Sequence, residues 1–268
     1  MRLQVITLFL LLQALSFGIW TIFGTNTAEV VHAQSKIHAA AQIPIANTSD
    51  TYLKSIHFTA KNTEITNNRL IALKRNQILD ILSKLPKEHT ENIEKIVLDY
   101  NENAGRGLGN GRLIVLKATS ISSKEMIAVM IHEMGHVADL GYLSHTKSQY
   151  ESEFHDGGIK IWESDPSLDY YRLSWEDERT LKRIVNNTDF VSGYAMTDCF
   201  EDFAETYIYY LLHGNEFRIK TSTSNVLFKK YNFMKEIVFD GQEFDTGSMR
   251  VEENSRPWDI TKLSYNFD

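Results

Sequence analysis

Within EMIAVMIHEMGHVADLG, residues 125–141, His132 and His136 stand four apart and Glu133 adjoins the first. On a helix that spacing stacks the two imidazoles on one face. Two neutral imidazoles so placed can bind one zinc ion, with Glu133 beside them as general base toward a water. The flanking Ile127, Val129, Met130, Ile131, Met134 and Val137 are apolar, so this reads as a buried helix. Buried polar groups need a partner to offset their desolvation, and a metal would be one. The competing reading, incidental polar residues on a wet face, fits these neighbours poorly.

A catalytic zinc takes a third protein ligand and keeps one position open. Asp139 and Tyr142 stand where an extended His-x-x-Gly-x-x-His pattern would place its glycine and last histidine, so the ligand must come from elsewhere. In DCFEDFAETYIYY, residues 198–210, Glu201 and Glu205 are four apart. Glu201 is expected to bind the metal and Glu205 to orient a ligand histidine from behind. Acids that merely favour a helix start are the alternative. Asp139, one turn past His136, is either a further hydrogen-bonding group near the site or an ordinary helix-end acid. His155-Asp156 offers a second metal site or a polar loop, and Cys199 a redox handle or a small apolar helix-start residue.

HEMGHVAD followed by SGYAMTDCFEDFAE resembles the gluzincin metallopeptidases, specifically the branch containing anthrax lethal factor and the secreted Pro-Pro endopeptidases. That branch has a His-Glu-x-Gly-His helix, then a tyrosine seven residues before the glutamate ligand of a Glu-x-x-Ala-Glu helix; here Tyr194 is seven before Glu201. The resemblance implies a zincin-like fold, with His132, His136 and Glu201 holding one Zn2+ per chain. It also implies Glu133 as general base and Tyr194 as the group that stabilises the oxyanion. It spans about residues 112–213 and departs in the long insert after His136, so Pro-Pro specificity is not carried over.

Which elements must position these residues? A helix is expected over residues 67–85, with Leu70, Leu73, Ile78, Ile81 and Leu82 as its apolar stripe and Pro86 after it. Strands are expected at Asn92–Tyr100 and Arg112–Thr119, the second either pairing with an extended substrate or having its edge covered. Between them NENAGRGLGNG lacks the following helix that a phosphate cradle needs, so it reads as a flexible loop. The histidine helix opens with a Ser122-x-x-Glu125 capping box and runs to about Leu140, with Gly141 as its C′ residue. After an aromatic-rich excursion, whose DPSLDYYRLSW suits a peptide cleft or a plain core, a second helix spans Cys199–His213 between Asp198 and Gly214. An amphipathic piece follows near residues 225–239. The fold class expected is α+β: a zincin-like small mixed sheet packed on an active-site helix, with a mainly helical C-terminal part.

Residues 1–33 read as a signal peptide, with Arg2, an apolar run from Val5 to Gly24, and Val31 and Ala33 before the cleavage point. The run also suits an uncleaved single-pass anchor. Residues 34–62 read as a spacer or pro-like segment, 63–240 as the catalytic domain and 241–268 as a C-terminal tail. The single cysteine, Cys199, allows no internal disulfide. A formal net charge of -7 with no basic run argues against nucleic acid. The expectation is a secreted zinc-dependent endopeptidase acting on protein or peptide, with no membrane partner once the signal segment is gone. Rival readings are a non-catalytic zinc-stabilised binding module and a zinc amidase acting on cell-wall material.

Overall fold

A computed structural model describes residues 53–64, 66–144, 150–249 and 256–266. The signal-or-anchor segment and residues 34–52 lie outside the described residues. Among the described residues, no helix is long and apolar enough to cross a membrane.

The chain is mixed α+β, with a small mixed sheet beside a larger helical part. Strands β1 (His57–Lys61), β2 (Lys95–Asp99), β3 (Gly107–Gly109) and β4 (Leu113–Lys117) lie in the order β1-β2-β4-β3. The first three of that order are parallel, and β3 runs antiparallel to β4. In β2, Ile96, Val97 and Leu98 are buried in an unbroken run, as an inner strand of a parallel sheet should be. In β4 only Ile114 and Leu116 are buried, which gives the alternation of a half-covered strand.

Two expectations change here, and one open alternative is decided. Residues 57–61, read as spacer, form the sheet strand β1. The glycine-rich stretch is no loose loop, because Gly107, Leu108 and Gly109 form β3. With β3 on one side and β2 on the other, β4 has no free edge for a substrate.

Helix α1 (Asn68–Leu82) starts where the Asn67 side chain accepts from the Leu70 N–H at 2.9 Å. Three of the five residues of its expected stripe, Ile78, Ile81 and Leu82, are buried with Ile71 and Leu79, while Leu70 and Leu73 are exposed. The short α2 (Lys87–Thr90) follows Pro86. Helix α3 (Ser123–Val137) begins at Ser122, whose hydroxyl accepts from the Glu125 N–H at 3.0 Å, while the Glu125 carboxylate turns to Lys262. A widened π-helical turn, Ala138–Leu143, continues it. Gly141 therefore does not cap in the left-handed region; it lets this turn lie against Gly111, where an added Cβ would come 2.6 Å from the Gly111 carbonyl oxygen.

The excursion forms an antiparallel hairpin, β5 (Glu151–Asp156) with β6 (Ile159–Trp162), and a short α4 (Ser167–Tyr171). Tyr170, Tyr171 and Trp175 are fully buried, which decides for core over cleft. His155 and Asp156 sit in β5 rather than a loop and belong to no metal-holding group found among the described residues. Cys199 is buried, as a small apolar helix-start residue would be.

Helix α5 (Cys199–Leu212) is capped by Asp198, which accepts from the Phe200 and Glu201 N–H groups. Gly214 is not its left-handed C′ residue but opens α6 (Gly214–Lys220), under the Phe244 carbonyl. Helix α7 (Asn225–Phe233) runs into a second π-helical turn, Met234–Val238. It is pinned to α5 by a fully buried ion pair, Lys230 to Asp202 at 2.6 and 2.8 Å, with Trp175 Nε1 donating to the same carboxylate at 3.0 Å. Such a pair gives little net stability, but losing one member strands a buried charge, so it fixes which helices meet.

Candidate metal centre

Helices α3 and α5 pack directly on each other. Gly135 sits at the contact, where an added Cβ would lie 2.7 Å from Ala204 Cα. The absent side chain lets the helices approach closely. His132 and His136 flank Gly135 on one helix, and Glu201 and Glu205 flank Ala204 on the other, so the two pairs face each other beside this close approach.

The Nε2 atoms of both histidines face the same carboxylate oxygen. Glu201 Oε2 is 3.1 Å from His132 and 3.7 Å from His136. One ligand atom from each of His132, His136 and Glu201 lies within 4.8 Å of the others, so this group could hold a metal ion. On the far side of His132, Nδ1 is bonded to Glu205 Oε1 at 2.9 Å, and Glu205 is fully buried. A carboxylate there can only accept, so Nδ1 carries a proton, and a cation that displaces the proton on Nε2 would meet the Nε2 lone pair at the group's centre. The donor chemistry and this outer bond both suit a divalent cation.

Electrostatics agree with the geometry. Burial opposes a charged His132, but hydrogen bonds and charge from Glu201 and Glu205 hold its pKa well above the ordinary value. His136 shifts the same way for the same reason, through Glu201. Burial would raise Glu201, yet the two imidazoles outweigh it and keep the carboxylate ionised. The site thus favours positive charge opposite Glu201, whether on protons or on a cation that displaces them.

Glu133 is buried, and burial raises its pKa. Strand β3 passes directly over it: a Cβ at Gly107 would overlap Glu133 Oε1, and one at Gly109 would lie 2.8 Å from Oε2. These two glycines are a notch in the strand that seats the carboxylate. Comparison with protein-family models, curated proteins and solved structures finds no match.

Tyr194 begins a 3-10 turn, Tyr194–Met196, and its hydroxyl donates to Glu201 Oε1 at 3.1 Å. Burial, then the Glu201 charge, raises its pKa, so the phenol keeps its proton and remains a donor. Asp139, read either as a hydrogen-bonding group near the site or as a helix-end acid, accepts from the Tyr171 hydroxyl at 2.6 Å. It is buried, and the charge of His136 acts on it. The outer carboxylate on a ligand histidine is Glu205 alone among the hydrogen bonds described.

Sequence reasoning missed three contributors. The period-two glycines of GRGLGNG could have signalled a strand with one bare face. Trp258, 71% exposed, lies over the Cα of Gly193 beside Tyr194, and nothing local in SRPWDI announces that. The Ile260 N–H, which donates to Glu205 Oε2 at 2.9 Å, is a main-chain group and carries no sequence signal.

Proposed function

We propose that this chain is a zinc-dependent endopeptidase of zincin-like fold, exported from the cell, with one Zn2+ held by His132, His136 and Glu201. The observation that carries the reading is the convergence of both Nε2 atoms on Glu201 with Glu133 next to them. A site serving only to hold a fold would need neither Glu133 seated under β3 nor the Tyr194 hydroxyl at the third ligand.

A bound Zn2+ would polarise the peptide carbonyl and lower the pKa of a water toward about 7. Glu133, with its raised pKa, is suited to draw the proton from the attacking water and return it to the leaving amine. Tyr194 can turn its hydroxyl from Glu201 toward the oxyanion of the tetrahedral intermediate. Because β4 is covered, the strand available to an extended substrate beside Glu133 is β3, one of the sheet's two edge strands among the described residues, β1 being the other. Leu108 on β3 and the exposed Trp258 offer apolar surface for substrate side chains near the site.

A peptide-library cleavage assay on the secreted chain, with and without chelator, tests this. The expected result is chelator-sensitive endoproteolysis that Glu133→Gln abolishes while Zn2+ stays bound, and a shifted cleavage preference in Trp258→Ala. Turnover retained by Glu133→Gln would defeat the assigned base. Release of fragments from purified cell wall, but not from protein, would favour the amidase reading.

A further inference from the structure

The tail expected beyond residue 240 returns to the centre of the molecule. The Pro257 carbonyl accepts from the Gly193 N–H at 2.9 Å, and the Trp258 carbonyl from the Tyr194 N–H at 2.6 Å. Arg106, one residue before β3, donates to Asp259 and, at 2.6 Å, to Thr261 Oγ1. Lys262 pairs with Glu125 at the start of α3. Residues 256–262 thus touch the Tyr194 turn, the approach to β3 and the histidine helix. Inside this span, Ile260–Lys262 form a 3-10 turn capped by Asp259, and Ile260 is buried.

At the centre of these contacts is Glu205. It is fully buried, so each oxygen must find a donor inside the protein. One oxygen meets His132 Nδ1 and the other takes the Ile260 N–H, both at 2.9 Å. The last torsion of a glutamate is soft, and one hydrogen bond would leave the carboxylate free to swing. Two donors on its two oxygens fix its plane, and through it the His132 ring.

We propose that Ile260 is a positioning residue of the metal centre, acting through its main-chain N–H: it clamps Glu205 so that the Nε2 lone pair of His132 is held toward the cation. This rests on the metal reading above. It makes the C-terminal segment part of the site, although Ile260 lies 55 residues beyond Glu205.

The backbone permits a test in the full chain. Asp259 is extended, at φ -149 and ψ 122, the conformation favoured before proline. Ile260 opens its turn, where proline's fixed φ is accepted. Ile260→Pro therefore deletes the donor where the backbone accepts the ring and sets Cδ against Glu205 Oε2, so it releases the carboxylate from its clamp, and Ile260→Val keeps the donor and most of the packing. Zn2+ affinity is measured by competition with a chromophoric chelator. Ile260→Pro is expected to bind Zn2+ about 10- to 100-fold more weakly, the usual effect of losing such an outer partner, and Ile260→Val to match the wild type. Equal affinity in Ile260→Pro and wild type would overturn the proposal, and so would equal weakening in both variants. A second measurement needs no variant: linkage requires Zn2+ to slow hydrogen exchange at the Ile260 amide by a comparable factor. An Ile260 amide indifferent to Zn2+ would also overturn it. A wild-type chain that takes up no Zn2+ would sink the metal reading itself, an outcome distinct from the others.

Discussion

At the residue scale, two side chains near the site invite opposite expectations. Tyr194 keeps its proton and touches Glu201, so its proposed work is confined to the transition state. Tyr194→Phe should lower kcat by about 100- to 1000-fold with little change in KM, as loss of one oxyanion donor does. Steady-state kinetics that instead show a raised KM and normal kcat would remove it from that role. Asp139 is an acid kept neutral by burial, its pKa pushed from 3.8 up to about 7. A raised acid favours the fold fully below its unfolded value, and that advantage is lost as the pH rises through about 7. In chelated protein, Asp139→Asn should therefore gain stability relative to wild type between pH 4 and pH 8, read by denaturant melts. A wild-type-minus-variant difference that ignores pH would refute the shift.

Among elements, the α3–α5 crossing decides whether four side chains form a centre or merely share a core. Its spacing depends on Gly135 lying against Ala204. Gly135→Ala forces a methyl into that contact, and overpacking of this kind costs about 1–3 kcal/mol. The same displacement carries Glu201 away from the imidazoles, so Zn2+ affinity should fall together with the melting temperature. Calorimetry and metal titration on one sample check this; lost stability with undiminished affinity would mean the crossing distance does not set the site. The notch of Gly107 and Gly109 over Glu133 follows the same logic, with a bare strand face replacing a bare helix face.

For the whole molecule, the sheet and helices meet around a site drawn from residues 106–261 in sequence, without a disulfide to tie them. A ligand that binds only the folded chain adds its binding energy to stability. With Zn2+ at about a thousandfold its dissociation constant, the gain is about 4 kcal/mol. For a domain of this size that corresponds to a melting temperature lowered by roughly 8–16 °C when a chelator is added. Scanning calorimetry with and without chelator reads it directly, and an unchanged midpoint would argue against a metal linking these segments.

Much of the local structure was legible from residue spacing. The i, i+4 histidines and the i, i+4 glutamates each needed only helical periodicity, and Ser122 and Asp198 sit at helix starts because short polar side chains satisfy free N–H groups. Where the pattern was read against a single helix it faltered: Leu70 and Leu73 looked like core and are exposed, since the burying face is set by what packs on it. The bare glycines beside β4, the buried tyrosines of the excursion and the Asp139–Tyr171 bond were decided by neighbours remote in sequence. The sequence by itself determined which side chains could share a helical face, because that depends on a repeat of a few residues. Only the tertiary structure decided that Glu201 faces both imidazoles, that β3 lies over Glu133 and that a late main-chain N–H holds Glu205. Those relations arise from close packing between distant segments, and no local period encodes the distance at which two of them meet.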